Sequence, residues 1–411
     1  MEPIPSSDFF VGNRQRLRQL FTGTAPIVIS ANGLLQRGGD NTYAFSQDAN
    51  FWYLTGIEDP DIILVMDKSS EFLIIPGRSD NRETFDGSIE TSDISDKSGI
   101  KEIYEEKEGW EKLGSRIKKV KHVATIASAP SYIEAYGFYT NPARETLARR
   151  IKSLNSDIEL LDLSQHLIKM RMIKQPVEIK LIQSAIDITG KGLAQAIRPA
   201  MLKKYKHEYE IEAEITKGIR SLGASGHAFE PIVASGERAC TLHNIANSGV
   251  LSEDGLVLVD IGAEVNHYAA DISRTFSINP EPSKRQRSVF LAVQEVQQYA
   301  ISLLKPGTLL RDYEQSIETF MGEKLRELNL IKTITRDSVR KYFPHATSHF
   351  LGLNVHDIGN HDAPLVPGCV LTIEPGIYIK EESIGIRIED DGLITPKGIR
   401  ILSDKLPQAI A

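Results

Sequence analysis

Residues 256–273 read LVLVDIGAEVNHYAADIS, and their pattern decides the fold of the C-terminal part of the chain. An apolar run reaches Asp260, polar residues follow from Glu264 to His267, and a second run carries Asp271. This is a strand, a turn and a returning strand. A turn centred at Val265-Asn266 sets Asp260 opposite Asp271, where side chains stand about 5 Å apart and like charges repel. A second stretch, LTIEPGIYIKEESIGIRIE at 371–389, has the same layout. Glu374 ends its apolar run, and a turn centred at Glu381-Glu382 places it opposite Glu389.

Working outward, each hairpin follows two helical patterns. Pro176 with Glu178 is a helix-start signal, and Leu181, Ile182, Ala185, Ile188, Leu193 and Ala196 keep helical spacing behind it, although Gly190 and Gly192 weaken the pattern. Ile211, Ile215, Ile219 and Leu222 predict a second helix, stopped by Gly223. The order then recurs. Val289, Val293, Val296, Ala300 and Leu304 mark a helix ended by Pro306-Gly307, and Ile317, Phe320, Met321 and Leu328 mark another. Helix, helix, hairpin occurs twice, so this region is expected to hold two structurally related halves.

The first ~165 residues read differently. Apolar runs at 27–29, 62–66 and 72–75 are short strands bounded by Gly, Pro or Asp, and 111–120 is amphipathic, which is the α/β pattern. A chain of 411 residues exceeds what one core usually serves. The segment MRMIKQP at 170–176 is the natural boundary, giving an α/β domain over 1–168 and an α+β domain over 174–411.

Composition excludes several roles. The chain is 41% hydrophobic and 25% charged with a formal charge of −7, which is not the basic surface a nucleic-acid partner needs. The start, MEPIPSSD, is acidic and proline-bearing where a signal peptide would be basic and then apolar. No apolar run approaches the ~18 residues of a membrane helix. The two cysteines, Cys240 and Cys369, lie far apart, so a reducing cytoplasm is the expected location, with neither membrane nor nucleic acid as partner.

Two opposed acidic pairs, one in each half, bring four carboxylates to a semi-buried place that divalent cations would neutralise. Four of the ten histidines fall in HATSHFLGLNVHDIGNH at 345–361, between the two hairpins. Oxygen-rich ligation with one imidazole suits manganese, cobalt, iron or zinc.

The set Asp260, Asp271, His349, Glu374 and Glu389 resembles the five-ligand dinuclear site of the pita-bread metallopeptidases. The strings HATSHFLGLNVHD at 345–357, TIEPGIYI at 372–379 and GIRIEDD at 385–391 match as well. FSQDANFWYLTGIEDPDIILV at 45–65 is similar to the N-terminal domain signature of one branch, the Xaa-Pro aminopeptidases or aminopeptidase P. The resemblance implies an α/β N-terminal domain on an α+β pita-bread catalytic domain, and two divalent ions, manganese foremost with cobalt, iron or zinc as alternatives. By its match Asp260 binds one metal, Asp271 and Glu389 bridge, and His349 with Glu374 completes the second.

The implied reaction releases the N-terminal residue from peptides with proline in second position, through a hydroxide shared by the two metals. Glu374 shuttles the proton. His243, in SGERACTLH at 235–243, contacts substrate, and His356 supports the tetrahedral intermediate. His345 and Arg387 match positions lining the site, and Phe229 is a candidate wall of the proline pocket. A homodimer or homotetramer is expected. Arg238, Ala346 and Asn354 depart from the usual Asn, Gly and Asp. Prolidase shares the ligands but takes only dipeptides. Methionine aminopeptidase lacks such an N-terminal domain, creatinase lacks the ligand set, and a silent binding relative would have lost ligands.

Overall fold

The structure is a computed structural model that describes residues 5–78, 83–85, 87–126, 133 and 136–410. Two compact units meet in sequence between Met170 and Arg171. The N-terminal unit is built on a six-stranded mixed sheet, ordered Ile103–Glu105, Glu71–Ile75, Ile63–Met66, Ile27–Ser30, His122–Thr125, Glu159–Asp162. Ile27–Ser30 runs antiparallel to Ile63–Met66 and parallel to His122–Thr125. The helix expected at 111–120 spans Glu106–Ile117, beginning earlier because Glu106 and Glu108 suit the positive end of the helix dipole.

Most of the 45–65 signature is core. Asp48 caps the helix Ala49–Thr55 by accepting the N–H groups of Asn50 and Phe51, both at 2.9 Å, and Phe51, Trp52, Tyr53 and Leu54 are all buried. Gly56 ends the helix in the left-handed region at φ 70°, against the Phe10 ring, where a Cβ would come within 2.4 Å.

The C-terminal unit holds the repeated order. Helices Pro176–Ala196 and Glu208–Ser221 precede the sheet of Ile232–Ser235, Leu256–Ile261 and Ile272–Ser277. Helices Lys284–Leu303 and Leu310–Glu327 precede the sheet of Val370–Ile373, Asp390–Thr395 and Gly398–Ile401 and the hairpin Gly376–Ile379/Ile384–Arg387. Gly190 and Gly192 do not break their helix. A Cβ on Gly218 would lie 2.9 Å from the Gly192 Cα, so these glycines let the first two helices approach closely. Leu256–Ile261 is buried at every position, which is why its residues up to Asp260 read as an apolar run. Among the described residues, no helix is long and apolar enough to cross a membrane.

Candidate metal centre

The first hairpin departs from the expected register. Its turn is Asn266-His267, at φ 45° and 67°, the two-residue form that needs positive φ at both positions. The turn centre therefore lies one residue later than expected, and the pairing shifts by two. Asp260 is opposite Ser273, not Asp271. Because the shift is even, both carboxylates stay on one face. In the second hairpin the register agrees with expectation: Ile373 pairs with Asp390 and Gly376 with Arg387, which leaves Glu374 level with Glu389 in the gap between two ladders.

The turns bring the carboxylates together in a buried cluster. Asp271, His349 and Glu389 each offer a ligand atom, and these atoms lie within 4.8 Å of one another. His349 Nε2 is 3.4 Å from Asp271 Oδ2 and 3.5 Å from Glu374 Oε1, while Nδ1 lies 3.1 Å from the Phe350 carbonyl oxygen. Burial raises the Asp271 carboxyl well above its usual range, and Asp260, Asp391 and Glu374 add to the shift. Burial does the same to Glu389, reinforced by Asp271, Glu374 and Asp260. Glu374 is raised too, by burial, against the pull of His349 and Arg387. Carboxylates so placed call for cations.

Arg387 supplies one cation from within the chain. Its Nη2 donates to Asp260 Oδ2 at 2.6 Å, its Nη1 to the Tyr378 hydroxyl at 2.8 Å and its Nε to Ser273 Oγ at 2.8 Å. Asp260 Oδ1 remains buried without a hydrogen-bond partner among the described residues. One arginine cannot balance four acids. An orphaned carboxylate oxygen beside an oxygen-rich set with one imidazole fits divalent ions. Ser273 Oγ also donates to Glu389 Oε2 at 2.8 Å, as a support of a metal-ligating carboxylate would.

The other expected residues surround this cluster. His345 Nε2 lies 2.8 Å from the Tyr378 hydroxyl and Nδ1 2.8 Å from the Ala346 carbonyl. Burial, with Arg387 nearby, pushes its pKa down to about 3, so the ring is neutral. His356 packs edge-on against His349 at 4.4 Å between centroids. Removal from water, then His349 and His243, hold it below the usual histidine range. His243 is exposed on its loop, near enough to act electrostatically on both. Phe229 is half-buried against Gly262, where a Cβ would come within 3.0 Å of its ring. Arg387 is 4% exposed, so it meets the carboxylates from beneath and does not face an open cleft.

One of the three departures has a structural account. Arg238 donates to the buried Glu208 carboxylate at 2.8 Å beside the His243 loop, while nothing in the structure explains Ala346, whose backbone carbonyl meets His345 as any residue's would. Asn354 is exposed. Next to His356, Asp357 is buried between Arg171 and Lys174, with Lys174 Nζ at 2.9 Å. Burial alone would raise the Asp357 carboxyl, but the two cations outweigh it and hold it low. Ser273, Tyr378 and Glu314 were not among the expected site residues. Turn chemistry at Asn266-His267 would have pointed to Ser273, and Tyr378 stands in the TIEPGIYI string, but nothing local marks Glu314.

A duplicated helix–helix–hairpin unit that gathers buried carboxylates around one imidazole has the build of a metal-dependent hydrolase. Comparison with known proteins agrees. Residues 180–396 match the model of metallopeptidase family M24, and residues 10–125 match that of the aminopeptidase P N-terminal domain. The Xaa-Pro aminopeptidase of Haemophilus influenzae is 32% identical over 100% of this chain and 97% of its own length. Xaa-Pro aminopeptidase 3 of Rattus norvegicus is 32% identical over 93% of this chain and 79% of its own. Zinc-substituted E. coli aminopeptidase P in complex with product superposes with a TM-score of 0.85 at 29% identity, covering 99% and 97% of the two chains. The chain belongs to metallopeptidase family M24, in its aminopeptidase P branch.

Proposed function

We propose that the chain, as a Xaa-Pro aminopeptidase, works through two divalent cations held by Asp260, Asp271, His349, Glu374 and Glu389. The observation that carries this reading is the buried carboxylate cluster with the orphaned Asp260 oxygen. Bound there, divalent ions would supply Lewis acidity toward the scissile carbonyl and lower the pKa of water. The chain's own groups do the rest. Glu374, with its raised carboxyl, takes a proton from the attacking water and delivers it to the leaving proline nitrogen. Neutral His356 donates an N–H to the developing oxyanion, and His243 contacts the substrate. The Xaa-Pro amide has no N–H, so selection relies on the ring's shape, with Phe229 as a wall, and on the free amino terminus. His345 lines the site beside Tyr378, and Arg387 holds Tyr378, Asp260 and Ser273 beneath it.

Finer points belong to the same proposal. Manganese is the expected metal, with cobalt, iron or zinc as substitutes, the cytoplasm the expected location, and a homodimer or homotetramer the expected assembly. The test compares Ala-Pro, Ala-Pro-Ala and Ala-Ala-Ala with manganese present. Cleavage of Ala-Pro-Ala with Ala-Ala-Ala ignored is the expected result. Confinement to Ala-Pro would favour a prolidase, and equal cleavage of Ala-Ala-Ala would refute proline selection.

A further inference from the structure

The helix Leu310–Glu327 contributes no expected ligand, yet it holds the segment that does. Glu314 Oε1 accepts the backbone N–H of Thr347 at 2.9 Å and that of Ser348 at 3.2 Å. Its Oε2 accepts the Thr347 hydroxyl at 3.0 Å. The far side of the same segment is tied to the metal strand. Glu374 N–H donates to the Thr347 carbonyl at 2.8 Å, and Thr372 N–H to the His349 carbonyl at 3.0 Å. Thr347 is thus gripped at its amide by Glu314 and at its carbonyl by Glu374.

A half-buried carboxylate is a costly choice if packing were all that was needed, since desolvation is repaid only through hydrogen bonds. Here burial raises the Glu314 carboxyl while the amides and hydroxyl of 347–348 pull it back. Bonds to an ionised acceptor are roughly twice as strong as neutral ones, and four reach Glu314 from two residues, the Thr347 N–H also meeting Oε2 at 3.0 Å. We infer that Glu314 is a positioning residue for the metal centre. Acting through Thr347, it fixes where the His349 imidazole and the Glu374 carboxylate stand relative to each other. The inference rests on the reading of His349 and Glu374 as ligands given above.

Glu314→Gln tests it, because it keeps the size but turns one acceptor into a donor facing the loop amides. Chelator-stripped wild type and variant are titrated with Mn²⁺ by calorimetry, and kcat and KM are measured on Ala-Pro-Ala. Mn²⁺ affinity and kcat are each expected to fall ~10–100-fold, the usual loss when a ligand's support is removed, with KM unchanged. A folded variant with wild-type Mn²⁺ affinity, whether or not its Tm is lower, overturns the inference. Wild type that itself binds no Mn²⁺ overturns the underlying reading instead. Should Glu314→Gln not fold, Thr347→Val removes only the hydroxyl bond. Weakened Mn²⁺ binding by that variant supports the inference, and wild-type affinity overturns it.

Discussion

In the first hairpin of the catalytic unit the two carboxylates are staggered, with Asp260 opposite Ser273 and Asp271 two places nearer the turn. In the second, Glu374 and Glu389 stand level, but outside either ladder, between the Ile373–Asp390 and Gly376–Arg387 pairs. Like charges directly opposed across a ladder destabilise it, so the regular ladder staggers them and only the gap lets them face each other. Pro375 suits that gap, having no N–H to give a ladder. The halves also differ in their histidines. The first brings only the exposed His243 toward the site, and the second brings His345, His349 and His356.

The largest effect should come from Asp271→Asn, which neutralises the more buried member of the staggered pair. Metal content, near two ions per chain in wild type if the proposed centre is right, should collapse and peptide hydrolysis with it. Burial raises the Asp271 carboxyl above its ordinary value, so above that value the charged form costs the metal-free fold stability, increasingly as pH rises. The metal-free variant at pH 7 should therefore melt about 2–4 °C higher, the shift a gain of ~1 kcal/mol gives in a domain of this size. Elemental analysis and calorimetry decide it: an active variant without metal would defeat the assignment.

His356→Ala probes the histidine-rich half. It packs against His349 without belonging to the carboxylate cluster, so metal should be retained while kcat falls ~10²–10³, the cost of one oxyanion donor. Loss of metal, or an unchanged kcat, would reassign the residue. The smallest effect concerns the turn that sets the stagger. Asn266 sits at φ 45°, and a β-branched residue there is strained, so Asn266→Val should cost about 1–2 kcal/mol in urea unfolding. No change would mean that the register is held elsewhere than in the turn.

Periodicity alone determined much of this protein. The duplicated helix–helix–hairpin order, the α/β character of the first domain and the four acids are legible because apolar spacing and acidic residues at strand ends are local signals, whereas His349 stood out from its three neighbouring histidines only through the family resemblance. The second hairpin's register was legible too, since its polar turn is unambiguous. The first was not, because Asn266-His267 is a turn by virtue of positive φ, a property of backbone conformation and not of polarity. Glycines 190 and 192 looked like helix breakers in isolation, and only tertiary packing explains them, Gly192 against the neighbouring helix with Gly218 and Gly190 against Leu406. The roles of Arg387 and Glu314 are tertiary altogether. Arg387 meets Asp260 across 127 residues and Glu314 meets the Thr347 amide across 33. A hydrogen bond to a distant backbone leaves no periodic trace, so folding alone decides which charges are neutralised and which loop is held.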